Sequence, residues 1–292
     1  MSYRMTSELK LGEVKLRVRD LKRSLAFYEQ VLGMQCAART ATTAELTAAG
    51  RGAMLVVLEE VPGAVETDPR SVSGLYHYAL LVPSRRDLGL VLRQLLDHGV
   101  HVGQGDHHVS EALYLSDPDN NGIEIYRDRP REEWTYAPDG SIRMTTDPLD
   151  IPGILGAAEG EAWRGMPAGT RMGHVHFHVR GLAEAKRFYT ETLGFDTMVD
   201  YAAQMGAVFV SAGGYHHHIG LNIWAGAGAP PASSQATGLA YYTMRLPGAE
   251  LERLRAHLER SGVTLRQQDG AWLAADPSGI VMRLLQAEPV PI

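Results

Sequence analysis

A single cysteine, Cys36, in 292 residues excludes any disulfide within the chain and any zinc cluster built on thiolates. Charge of either sign is not in large excess: 28 Lys and Arg stand against 34 Asp and Glu, a formal net charge of −6, with no long single-sign run. Nucleic acid is therefore not expected as a partner, because that would favour a basic face. The chain also lacks an apolar stretch long enough for a bilayer, and its first residues form no apolar signal core. No membrane association is expected, and a reducing cytoplasm is the natural location. The length suits two domains of ordinary size, each able to bury its own core. What the chain has in plenty is histidine. Eight of its twelve fall into three clusters, His107-His108, His174/His176/His178 and His216-His217-His218.

The second conspicuous property is a duplication. LGEVKLRVRDLKRSLAFYEQVLGMQ around Gly12 and MGHVHFHVRGLAEAKRFYTETLGFD around Gly173 share nine of twenty-five positions, including Phe27-Tyr28 with Phe188-Tyr189. Gly74-Leu75 recurs as Gly238-Leu239, and Asp117-Pro118 as Asp276-Pro277. Where the two copies differ in chemistry, one has gained or lost a site.

Each half reads as two strand-helix-strand units. Val14–Val18 alternates as a strand does, and Leu21–Leu32 has helical spacing. Short strands are expected near Ala44–Leu46 and Met54–Leu58. A second unit opens with Tyr76–Val82, continues in a helix from about Arg86 to His98, and closes with strands near Ala112–Leu115 and Gly122–Tyr126 around the turn Asp117–Gly122. The second half repeats the plan: strand 174–179, helix 183–193, strands near 207–211 and 217–224, strand 239–246, helix 248–261 and two closing strands. This divides the chain into an N-terminal domain, 1–135, a linker, 136–166, and a C-terminal domain, 167–292.

Four βαβββ units with the opening V-R-D-L…F-Y…L-G and the ending D-P-x-x-N-G-I-E-I resemble the vicinal oxygen chelate superfamily of glyoxalases, bleomycin-resistance proteins and extradiol dioxygenases. GLYHYALLVPSR, VSEALYLSDPDNNGIEIY, GHVHFHV and GGYHHHIGLN are similar to the catechol 2,3-dioxygenase branch with four fused modules. The resemblance covers almost the whole chain. It implies an α+β fold whose tandem modules form two duplicated domains with cup-shaped, partly open β-barrels. It also implies metal ligands at the start of a unit's first strand and in the middle of its last. Those places hold Glu13 in unit 1, His77 and Glu124 in unit 2, His174 in unit 3, and Tyr241 and Arg283 in unit 4.

Members of the superfamily differ in which units pair. Units 3 and 4 would combine His174, Tyr241 and the cationic Arg283, which is no metal ligand, and units 1 and 4 are worse. Units 1 and 2 would give the carboxylate-rich set Glu13, His77 and Glu124. Units 2 and 3 give two histidines and one carboxylate, His77, His174 and Glu124, the facial triad suited to non-haem Fe(II); Mn(II) is the substitute such a set admits. The activity implied is extradiol cleavage of catechol or a substituted catechol with O2, in a chain that could form homo-oligomers.

Around this set, Val175, Phe177 and Val179 share one strand face and His174, His176 and His178 the other. The histidine face is either solvated or the lining of a cup in which only His174 binds metal, with His176 and His178 toward substrate. In the stretch Tyr215–Leu221, the resemblance assigns an acid/base histidine, which fits His217, with His216 and His218 as alternatives on the opposite face. A histidine suits that work because it titrates near neutrality. Tyr114 resembles the family's active-site tyrosine that bonds substrate oxygen. His107 and His108 either line the entrance, where His108 is the candidate, or belong to a loop. Trp134 and Trp224 read as packing anchors. The rival readings are a glyoxalase-type isomerase or hydroquinone dioxygenase, and a binding protein that sequesters an aromatic compound without chemistry. In the opposite cup, lined by Glu13, Tyr241 and Arg283, an ion pair between Glu13 and Arg283 is expected instead of a metal.

Overall fold

In the computed structural model, which describes residues 3–50, 52–138 and 140–288, sixteen strands form two eight-stranded sheets. Each of the four units contributes four strands. Unit 1 supplies β1 (Lys10–Val18), β2 (Gln35–Arg39), β3 (Thr43–Thr47) and β4 (Met54–Glu60). Unit 2 supplies β5 (Gly74–Leu81), β6 (Gly103–Asp106), β7 (Ser110–Ser116) and β8 (Gly122–Asp128). Unit 3 supplies β9 (Arg171–His178), β10 (Asp196–Tyr201), β11 (Ala207–Ser211) and β12 (Ile219–Asn222). Unit 4 supplies β13 (Gly238–Leu246), β14 (Arg266–Gln268), β15 (Ala271–Ala275) and β16 (Val281–Gln286).

Neither sheet belongs to one half of the sequence. One runs β14-β15-β16-β13-β1-β4-β3-β2 and joins units 1 and 4; the other runs β10-β11-β12-β9-β5-β8-β7-β6 and joins units 2 and 3. The seams are antiparallel, β1 on β13 and β5 on β9, whereas the first and last strands of each unit pair in parallel. The apolar residues of the central strands, such as Val14, Leu16, Tyr78, Leu80, Val175, Phe177, Tyr242 and Met244, form the common core with the helices. That burial leaves the alternate residues of each strand on the curved inner faces, which become the two cups.

The repeated motifs explain how the halves hold together across this exchange. Helix Leu21–Ala26, capped by Asp20, passes into a π-turn at Phe27–Val31 that buries Tyr28. The Tyr28 hydroxyl donates to Asp117 at 3.0 Å and accepts from Tyr78 at 3.0 Å. Asp117 also accepts the backbone N–H groups of Asp119 and Asn121, closing the Asp-Pro turn. The second half repeats the clamp with Tyr189, which donates to Asp276 at 3.3 Å, beside Tyr242. The Phe-Tyr and Asp-Pro repeats therefore fasten unit 1 to unit 2, and unit 3 to unit 4, through the helical layer.

Several expected elements shift. The helices over 21–32 and 183–193 are each a six-residue α-helix followed by a π-turn, and each π-turn carries the buried tyrosine that bonds its aspartate. The strand expected over 217–224 begins at Ile219, after the left-handed pair Gly213-Gly214, so the three histidines before it escape strict strand alternation.

Candidate metal centre

The site is set by strand register. Across the second sheet, His174 on β9 lies opposite Ala79 on β5, Ala79 opposite Glu124 on β8, and Glu124 opposite Tyr114 on β7. All four face the cup, and the small Ala79 leaves room for His174 and Glu124 to meet above it. His77 lies two residues before Ala79 and so shares its face, opposite His176. The result is a convergence across the two halves: His174 Nε2 is 3.0 Å and His77 Nε2 is 3.1 Å from Glu124 Oε2. All three residues are buried, and their nearest donor atoms lie within 4.8 Å of one another.

This donor set suits a divalent cation. Ligand atoms at ~2.1 Å from a metal in adjacent positions stand ~3 Å apart, the spacing seen to Glu124. His77 Nε2 is buried and, although 3.1 Å from Glu124, makes no well-aligned hydrogen bond there, a costly state that a cation between the two would relieve. Burial lowers the His174 pKa from 6.5 to about 4 against the opposing pull of Glu124, so the ring is a neutral donor at pH 7. Burial would raise the Glu124 pKa, but His174 and His77 outweigh it and hold the carboxyl well below its ordinary value.

The other two histidines of β9 are committed elsewhere. Asn222 donates through Nδ2 to His176 Nε2 at 2.9 Å and accepts from His178 Nδ1 at 2.6 Å. One amide thus holds both rings in fixed tautomers. Gly220 makes space for the His176 ring, which a Cβ there would approach to 2.7 Å.

His217 lies against the centre, its ring centroid 4.1 Å from that of His174. Its neighbour His216 is not on an opposite face, as strand alternation would require. The two rings meet at 61° and bond through their Nδ1 atoms at 2.9 Å. His216 Nε2–H donates to Asp128 at 2.9 Å, so His216 Nδ1 carries a lone pair and accepts from His217 Nδ1–H. His217 Nε2 is left as an acceptor. Tyr215 also donates to Asp128, and Tyr126 meets the Tyr215 hydroxyl at 2.7 Å. His218 turns away to bond Ser211 at 2.8 Å.

The centre forms the floor of a cavity of about 480 Å³ lined by His77, Glu124, Tyr114, His176 and His217 and walled by apolar side chains. His107, not His108, borders it. His107 Nδ1–H donates to the Thr145 carbonyl at 2.6 Å, which leaves Nε2 to accept from the Tyr114 hydroxyl at 2.6 Å. His108, expected at the entrance, adopts φ +64° and swings outward to Asp147 at 2.7 Å. Burial and the nearby Glu124 raise the Tyr114 hydroxyl well above its ordinary pKa, so it keeps its proton. His178 faces a neighbouring cavity with Arg70 and His101. Trp134 is buried, but Trp224 is no interior anchor: it stands at the cavity rim, 40% exposed.

Sequence reasoning passed over Asp128, Tyr126 and Tyr76, and of the pair His107-His108 it favoured His108. Alternation from Glu124 through Tyr126 to Asp128 places these on one face and was a usable signal; nothing local distinguished His107 from His108. In the opposite cup, Glu13 accepts from Arg283 at 2.6 Å and from Arg245 at 2.9 Å, so the expected ion pair is a three-membered cluster.

Residues 10–125 and 171–283 match the profile of the Glyoxalase/Bleomycin resistance protein/Dioxygenase superfamily. A curated protein named Catechol-2,3-dioxygenase, from Bacillus subtilis (strain 168), is 50% identical over 268 residues, 91% of this chain and 93% of its own. Among solved structures, a putative dioxygenase from Bacillus subtilis superposes with a TM-score of 0.65 at 13% identity, covering 98% of this chain and 87% of its own. Glyoxalase I from Zea mays does so with a TM-score of 0.56 at 15% identity, covering 94% and 92%. These two likenesses concern the fold.

Proposed function

Because the chain belongs to the glyoxalase, bleomycin-resistance and dioxygenase superfamily, we propose that it is an extradiol ring-cleaving dioxygenase that opens a catechol with O2. The metal would be Fe(II), which His77, Glu124 and His174 would hold, with Mn(II) as a substitute for the same donors. The observation that carries the reading is the meeting of two imidazoles on one buried carboxylate at the floor of a cavity. Bound there, the metal would supply Lewis-acid chemistry toward a chelating diol and O2.

The chain's own groups supply the rest. His217 Nε2 is the base that accepts a diol proton, and Asp128, through His216, keeps that nitrogen unprotonated and aimed at the cavity. Tyr114 has committed its proton to His107, so its oxygen accepts from the diol hydroxyl nearest β7. Tyr76 and Trp224, edge to face at 5.2 Å, narrow the cavity and reduce water at the reacting ring. A glyoxalase-type isomerase would usually have a second acidic ligand, and the corresponding stretch of unit 3, Ile219-Gly220-Leu221, has none. Among the described residues no helix is long and apolar enough to cross a membrane, and we place the enzyme in the cytoplasm.

The test compares anaerobically purified wild type, His174→Ala and His217→Ala. Wild type is expected to carry about one iron per chain. His174→Ala should lose it, and His217→Ala should keep it while ring cleavage falls about a hundred- to ten-thousand-fold. An iron-free wild type that accepts no other divalent metal overturns the metalloenzyme reading. Near-normal turnover by His217→Ala overturns the role of that residue.

A further inference from the structure

We propose that the substrate is a catechol carrying an uncharged, apolar substituent, which lies toward Met205 and Trp224 at the mouth of the cavity. This deepens, and rests on, the dioxygenase reading. Two cavities adjoin the candidate centre, and they share Tyr76, His77 and Tyr114 as a common wall. Glu124, His176 and His217 border only one of them, so a diol placed between the triad and His217 occupies that one.

Beyond the diol, this cavity offers little that would recognise a charge. No lysine or arginine lines it among the described residues, and its only carboxylate is Glu124 at the floor. Its apolar lining is Met144, Tyr201, Met205, Phe209 and Trp224. Beside these stand the uncharged Gln104, Ser110, Thr145 and Thr146. The polar atoms of Tyr201 and Trp224 are already engaged. Tyr201 donates to the Met144 carbonyl at 3.1 Å, and the Trp224 indole donates to the Met205 carbonyl at 2.7 Å. These side chains offer a ligand ring and thioether surface.

Size and exposure point the same way. A volume of about 480 Å³ falls in the range of ~300–1,000 Å³ that takes ligands well larger than a single ring. Met205 and Trp224 are 48% and 40% exposed, two of the few large apolar side chains that the fold leaves open to solvent, and both sit at this mouth. Exposed apolar surface at the rim of a cavity marks a place where apolar ligand surface is covered. The neighbouring cavity contrasts with it. There Arg70, which has no ion-pair partner among the described residues, lines the cavity with His101 and the unpartnered Nε2 of His178, against one carboxylate, Asp68. An acidic substituent would be drawn to that side.

The experiment measures kcat/KM of the iron-loaded enzyme for catechol, 4-ethylcatechol and 3,4-dihydroxyphenylacetate, together with anaerobic binding of each by calorimetry. Each buried methylene should strengthen binding about fourfold, so 4-ethylcatechol is expected to exceed catechol about fifteenfold in both readouts. The carboxylate should fall at least about thirtyfold below the ethyl compound, because its charge would be buried without a partner. Met205→Lys should narrow that gap about tenfold, and Arg70→Gln should leave it unchanged. Preference for the carboxylate, especially one lost in Arg70→Gln, overturns the inference and moves the substituent to the other cavity. Equal rates for all three catechols overturn it as well. Failure to cleave any of them overturns the dioxygenase reading instead.

Discussion

Replacing Glu13 by Gln should cost stability without touching the candidate centre. Glu13 is fully buried and bonds two guanidinium groups, Arg283 at 2.6 Å and Arg245 at 2.9 Å, whose side chains are 18% and 24% exposed. Glutamine keeps the shape and removes the charge, so two cations remain together with no anion between them. Removing one partner of a buried pair costs about 3–5 kcal/mol. Here water reaches the outer edge of both arginines, so the loss should lie near the lower end, about 2–4 kcal/mol. With a urea m-value of ~3 kcal/mol/M, the unfolding midpoint should fall by ~1 M. Glu59→Gln is the control, because its pair with Lys15 is partly solvated and should be worth no more than ~1 kcal/mol. Adding Arg283→Met to Glu13→Gln should recover part of the loss by removing one stranded cation. Iron content should be unchanged throughout. Equal midpoint shifts for Glu13→Gln and Glu59→Gln would refute the claim that this cup is held by its charge cluster, and loss of iron from Glu13→Gln would refute the pairing of units on which the site rests.

Burial raises the Asp276 pKa from 3.8 to about 6, against the N–H groups of Ile280 and Ser278 and the Tyr189 hydroxyl. The fold therefore favours the protonated acid: its contribution is full below about pH 4 and is lost as pH rises through about 6. Asp276→Asn keeps an acceptor for both N–H groups and should flatten that part of the stability profile. Above pH 6 it should gain about 1–3 kcal/mol in urea unfolding, and an unchanged profile between pH 4 and 7 would refute the assignment. At Gly173 an added Cβ would come 1.9 Å from the Tyr126 hydroxyl, so Gly173→Ala must displace that ring. It should cost about 1–3 kcal/mol and lower turnover through Tyr215, Asp128 and His216; wild-type stability and rate together would sink this account.

The chain's local chemistry determined the module, its fourfold use and the faces of its strands. Alternation is a two-residue property, so Val175 and Phe177 could be separated from His174, His176 and His178 by reading along one strand, and Glu124 could be recognised as a carboxylate inside an apolar run. The comparison of the two copies exposed the contrast between His174 and Glu13. Only the tertiary structure decided how these residues meet. The seam of β5 on β9 joins segments about a hundred residues apart, and its register, with those of β5 on β8 and β8 on β7, sets His174, Ala79, Glu124 and Tyr114 in one row. The histidine roles were the least legible. His107 and His108 are separated by one backbone angle, φ +64° at His108, and His216 and His217 lie in an irregular stretch after two left-handed glycines. Such positions have no period to read; what orients them is a partner far off in the chain, Asp128 for His216 and Thr145 for His107, which the fold alone brings within hydrogen-bonding distance.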